Sequence, residues 1–133
     1  MVGAGERVYH GSRVKKLGAR PGLRALLVDL PDDGLEGELR EAGVEIVEGP
    51  RKEADLVFLG VASVADLAGI RRYKSRIPSN GALWLIRPKG RDTPVTEREA
   101  MEAGLESGLV DVKVVSFSET HSALKYVVRL HDR

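Results

Sequence analysis

Glu119-Thr120-His121-Ser122 is the one stretch of this sequence where a carboxylate, hydroxyls and an imidazole stand together. Such groups could move a proton or activate a nucleophile. Adjacency along the chain is not triad geometry, in which each group must aim at the next. A polar turn between two strands would have the same composition. Contact with a ligand or partner is the stronger reading of Glu119, His121 and Ser122, and no catalytic residue is assigned. Asp29, Asp32 and Asp33 could offer oxygen ligands to a divalent cation. Acids at a helix start also cap it and complement its dipole, and that reading is preferred. The three histidines, His10, His121 and His131, lack metal-ligand spacing, and no metal site is assigned.

Basic residues cluster at Lys15/Lys16/Arg20/Arg24, at Arg71/Arg72/Lys74/Arg76 and at Arg87/Lys89/Arg91. The second cluster falls at a helix end, where cations complement the dipole. With two Phe, three Tyr and one Trp, few rings could stack on bases. Nucleic acid could be held through phosphates only and is not the expected partner. Lys89, after Pro88 at a strand end, is the basic residue best placed to face a crevice and meet an anionic small molecule.

The elements that must position these groups follow from periodicity and punctuation. The chain has 133 residues, enough for one core. Twenty-one basic side chains against twenty acidic ones give no global pull toward nucleic acid or a membrane. There is no cysteine, which fits a reducing cytoplasm, and no apolar run approaches the ~20 residues of a membrane span. Residues 1–11 read as a flexible terminus without the apolar segment of a signal peptide. Residues 12–133 read as one domain, with Ser12 as the cap of a short basic helix.

A first strand is expected over 23–30, a helix over 34–42 and a second strand over 44–48. The run 55–61 is almost wholly apolar and suits a strand buried on both faces. Ser63 and Asp66 have capping-box spacing and open a helix to about Arg76. Residues 82–86 (ALWLI) form a fourth strand, and Thr96 and Glu99 a second capping box, with Ala100, Met101, Gly104 and Leu105 inward. Val110–Phe117 and Ala123–Leu130 complete the set as an antiparallel hairpin around a five-residue turn, the last strand patterned as a half-exposed edge. The predicted fold is α/β: a Rossmann-like three-layer sandwich with a mostly parallel sheet and an antiparallel C-terminal hairpin. One tension is the short link between strands two and three, since parallel crossovers usually take a dozen residues or more.

Three segments carry a family resemblance. Lys15-Lys16-Leu17-Gly18 with Pro21-Gly22 and Arg24, Gly81-Ala82-Leu83-Trp84 with Pro88-Lys89, and Gly108-Leu109-Val110-Asp111-Val112-Lys113-Val114 with Glu119-Thr120 and Ser122 resemble an uncharacterised bacterial family of short Rossmann-like domains. These are similar to S-adenosylmethionine (SAM) methyltransferases. The resemblance implies a truncated class I methyltransferase-like fold, lacking one helix–strand–helix unit, and brings no established activity. His121 replaces an expected tryptophan and Arg87 an expected aromatic.

In such sheets a ligand lies beyond the carboxyl ends of the strands. Those ends supply Asp29, Pro31, Glu48, Ser63, Lys89, Glu119, His121 and Ser122 as candidate ligand-binding residues. Glu48 sits where an acid after strand two would hold ribose hydroxyls. The turn between strand one and its helix, Leu30-Pro31-Asp32-Asp33-Gly34, lacks the glycines of a nucleotide loop and adds two carboxylates. On that ground no cofactor is expected, and SAM is disfavoured. The expected role is a non-catalytic small-ligand sensor or protein-interaction module. The alternatives are an enzyme taking a nucleotide-like or anionic ligand in the crevice and an accessory nucleic-acid-binding protein. A homodimer through the C-terminal strands is the oligomer expected.

Overall fold

A computed structural model describes residues 13–49 and 52–132. The expectations for residues 1–11, Ser12 and His10 fall outside them. Six strands form one sheet: β1 (Arg24–Val28), β2 (Glu45–Ile46), β3 (Leu56–Gly60), β4 (Ala82–Pro88), β5 (Leu109–Ser116) and β6 (His121–Val128). Their order is β2-β1-β3-β4-β6-β5. β2, β1, β3 and β4 run parallel, and β6 and β5 close the sheet antiparallel. This is the α/β architecture expected from the sequence.

Helices cover both faces. α1 (Gly34–Glu41) follows β1, and its buried Leu35 and Leu39 face Phe58, Trp84 and Ile86. α2 (Gly69–Tyr73) is flanked by 3-10 turns at Val64–Ala68 and Lys74–Arg76, where one continuous helix was expected. α3 (Glu97–Glu106) begins at Thr96, whose hydroxyl accepts from the Glu99 N–H at 3.1 Å. These two cover the opposite face over Leu59, Leu83, Leu85 and Tyr126. Leu105, expected inward on α3, is exposed, because the buried stripe runs through Ala100 and Gly104 instead.

Burial explains strand placement. Every residue of β3 is buried, as is β4 up to Arg87, which puts both at the centre of the sheet. β6, read as a half-exposed edge, is interior between β4 and β5. The edge is β5.

The short link resolves through register. β2 has only two residues, and Ile46 pairs with Ala25, the same residue that pairs with Leu56 of β3. The link therefore leaves and re-enters the sheet at one level. It spans two strand spacings, about 10 Å, with no return along the strand. Val47 and Ala54 bury into the α2 and α3 face. The Arg76 guanidinium clamps the link, donating to the carbonyls of Gly49 at 2.5 Å and Lys52 at 2.6 Å. No helix covers the β1–β2 flank on this side among the described residues.

Candidate functional site

That uncovered flank is a cleft of about 550 Å³ at the carboxyl ends of β1 and β2. Val28, Val47 and Tyr73 give it apolar walls, and Asp29, Glu36 and Glu48 give it acids. Arg72 and Arg76 stand on the α2 side. A smaller cleft of about 290 Å³ adjoins it at the carboxyl ends of β1 and β3, again with Asp29, Arg72 and Tyr73. Of the candidates named from the sequence, Asp29 and Glu48 line this cleft. Arg72 and Tyr73 were missed, because the level at which β2 stops decides which side of α2 borders the strand ends.

The β1–α1 turn is shaped by backbone constraint. Asp29 has φ +52°, a left-handed conformation uncommon outside glycine. Its carbonyl packs against Gly60, the last residue of β3. Pro31 and Asp33 are exposed in the turn. Asp32 accepts from the N–H groups of Gly34 at 3.0 Å and Leu35 at 3.3 Å, capping α1. Asp32 also pairs with Arg13, which donates from Nε and Nη2 to the two Glu38 carboxylate oxygens and from Nη1 to the Phe117 carbonyl at 3.1 Å. Burial works against the charge on Arg13, yet Glu38 and Asp32 more than offset it and hold its pKa above the ordinary arginine value.

The other candidates stand apart from the large cleft. Ser63 opens the turn before α2, and Asp66 accepts from the Ala62 and Ser63 N–H groups at 2.8 and 3.1 Å. Lys89 reaches Ser116 Oγ at 3.0 Å, and its N–H bonds the Thr120 carbonyl. Glu119 is exposed at the hairpin tip. His121 and Ser122, expected in the turn, belong to β6 and pair with Pro88 and Arg87. β6 thus begins two residues earlier than expected, and the turn is held by the Phe117 and Ser118 N–H groups, which both bond the His121 carbonyl. His121 Nδ1 lies 2.8 Å from Thr120 Oγ1. Three of the four basic residues near α2 are spent on carbonyls: Arg71 bonds Glu106, Lys74 bonds Ser107, and Arg76 bonds the link, while Arg72 lies over the Tyr73 ring. Among the described residues no three His, Asp or Glu side chains are grouped to hold a metal ion, and no helix is long and apolar enough to cross a membrane.

His121 gives a pH prediction. Burial lowers its pKa, Asp32 opposes the shift, and Lys89 adds to it. The folded state therefore favours the neutral ring. The unfolded chain protonates first as pH falls through about 6.5, so stability is full above that value and declines below it. The melting temperature should drop less between about pH 7 and 5 in His121→Gln than in the parent. Equal slopes would show that the imidazole is not coupled to folding.

No family model matches the sequence, and no curated protein matches it. Solved structures do match the fold. A SAM-dependent methyltransferase from Aquifex aeolicus aligns with TM-score 0.65 and 12% identity over 90% of this chain and 89% of its own. A SAM-dependent O-methyltransferase from Thermotoga maritima aligns with TM-score 0.66 and 11% identity, covering 90% and 64%. The Burkholderia thailandensis 1,6-didemethyltoxoflavin-N1-methyltransferase, solved with S-adenosylhomocysteine (SAH), aligns with TM-score 0.65 and 12% identity, covering 92% and 78%. The fold is methyltransferase-like.

These neighbours correct one expectation. A chain without a cofactor, with SAM disfavoured, was inferred from the missing glycines of the β1–α1 turn. The fold that this chain shares is one in which the Aquifex and Thermotoga proteins are SAM-dependent and the Burkholderia enzyme holds SAH. The inference weighed one turn alone. The cleft here is walled by the β2 exit and α2 as well, and it forms without those glycines.

Proposed function

We propose that this chain is a methyltransferase-like ligand-binding domain that takes SAM or SAH in the β1–β2 cleft and acts as a sensor of that ligand. The observation that carries the reading is Glu48 beside Asp29 in one cleft. Glu48 follows the β1 exit by about 20 residues, the spacing at which an acid meets ribose hydroxyls in dinucleotide folds. Val28, Val47 and Tyr73 suit the flat face of an adenine. The acids around the turn would repel a pyrophosphate, whereas the ammonium of SAM or SAH and the sulfonium of SAM are positive. SAM, when bound, supplies an electrophilic methyl group. Glu48 would orient the ribose, and Asp29 and Glu36 would face the cationic end.

The sensor reading over the enzyme reading is supported by the imidazole and ammonium candidates. His121 and Lys89 are engaged at the hairpin and do not line the cleft. Calorimetry with SAH is the test. Saturation at ~100 times the dissociation constant should add ~2.7 kcal/mol of stability. Glu48→Ala should weaken binding roughly tenfold, the loss of one hydrogen-bonded charge. No heat and no thermal shift at millimolar SAH would overturn the proposal.

A further inference from the structure

Among the described residues two cations, Arg72 and Arg76, line the β1–β2 cleft. Arg76 is spent on the carbonyls of Gly49 and Lys52. Arg71 and Lys74, on either side of Arg72 and Tyr73, turn to the carbonyls of Glu106 and Ser107. The Arg72 guanidinium stands over the Tyr73 ring instead, 5.3 Å from its centroid. Among the described residues it has no carboxylate or hydrogen-bond partner. Stacking occupies the face of a guanidinium and leaves the N–H groups at its edge free to donate. Arg72 also lines the smaller cleft of about 290 Å³, which shares Val28, Asp29 and Tyr73 with the larger one.

The acids here are free as well. Neither the Asp29 nor the Glu48 carboxylate has an ion-pair or hydrogen-bond partner among the described residues. Arg72 shares the larger cleft with both and pairs with neither. Opposite charges that face one cleft without meeting suit a ligand carrying both signs. With the ribose of SAM or SAH at Glu48 and the ammonium at Asp29, the carboxylate of the ligand still needs a cation. An α-amino acid holds its ammonium and carboxylate on one carbon, so their partners must stand close together. Asp29 and Arg72 line both clefts together. A guanidinium edge meets a carboxylate through two parallel N–H donors, a geometry that lysine does not reproduce.

We propose that Arg72 selects the ligand by its amino-acid end: the guanidinium receives the α-carboxylate while Asp29 faces the α-ammonium. This rests on SAM or SAH occupying the β1–β2 cleft. It narrows the ligand class to a nucleoside that carries an intact amino acid, as against a bare nucleoside or a nucleoside amine.

Calorimetry with SAH and with decarboxylated SAH tests the assignment. The second compound keeps the nucleoside, the thioether and the amine and lacks only the carboxylate. The parent should bind SAH roughly tenfold or more tightly than the decarboxylated compound, the worth of a hydrogen bond between charged groups. Arg72→Gln should weaken SAH by the same factor and leave decarboxylated SAH unchanged, so that the two bind alike. Arg72→Lys, which keeps the charge without the fork, should recover part of the difference. Arg71→Gln, altered at a guanidinium that bonds the Glu106 carbonyl instead, should change neither affinity. Equal affinity of the parent for both compounds, or equal weakening of both in Arg72→Gln, would take this role from Arg72 and leave the cleft a ligand site. Binding of neither compound to the parent would overturn the occupancy of the cleft, and the assignment with it. The comparison within the parent decides even if a variant fails to fold.

Discussion

Replacing Gly60 by alanine should cost the fold about 3 kcal/mol, the upper end for overpacking a core. A Cβ at that position would fall 2.0 Å from the Asp29 carbonyl oxygen and 3.2 Å from the Leu30 Cα. Both are backbone atoms, so no side-chain rotation relieves the clash. Asp29 itself is held at φ +52°, so the turn has little freedom to retreat. The strand can move only by breaking its pairing with β4, where Gly60 opposes Ile86. The same displacement would shift Asp29 in the cleft, so SAH binding should fall along with stability. Gly37 is the control. It lies exposed within α1 with nothing near its absent Cβ, and Gly37→Ala should stabilise by roughly 0.5–1 kcal/mol. Urea melts of both variants measure the contrast. A Gly60→Ala protein within 1 kcal/mol of the parent would show that the turn moves aside at little cost, contrary to the close packing described.

Arg13→Ala should be nearly as damaging, with a loss of about 3 kcal/mol. The guanidinium is only 8% exposed and its partner Glu38 14%. It stacks on the Phe117 ring at 4.6 Å, donates to Glu38 Oε1 at 3.0 Å, and reaches the Phe117 carbonyl. One side chain thereby joins the short helical segment at 13–16, α1, the β1–α1 turn and the hairpin tip. Its removal strands Glu38 without a counter-charge, and this uncompensated carboxylate accounts for most of the loss. Arg13→Ala/Glu38→Ala should consequently be less destabilised than the sum of the two single variants. Additive losses would mean that the pair contributes nothing beyond its separate contacts.

The order of elements was legible in the sequence because each element carries its own local pattern. The unbroken apolar runs of β3 and β4 could be satisfied only at the sheet centre, and the Thr96–Glu99 capping box fixed the start of α3 to the residue. Helix length after Ser63 was less legible, since Gly69 and the polar run at Arg71–Arg76 allow 3-10 turns at both ends.

Legibility stopped where residues distant in sequence had to be set against one another. His121 and Ser122 read as loop residues because polar composition does not distinguish a turn from the first residues of a strand. Pairing with Pro88 and Arg87 drew them into β6. Glu48 and Asp29 were identifiable as strand-end acids, but the cleft that holds them depends on β2 ending after two residues at the level of Ala25.

Fold class, strand succession, helix caps and the apolar centre of this protein are thus properties of its local sequence, carried by interactions within a few residues or by the need to bury apolar runs. The cleft, the Arg13 lock and the placing of Lys113 and Lys125 over the Trp84 ring belong to the folded chain. Each depends on strand register, and a one-residue bulge at Val112 decides which face of the sheet Lys113 occupies. No periodicity in the sequence encodes that shift, because it arises only when β5 is laid against β6.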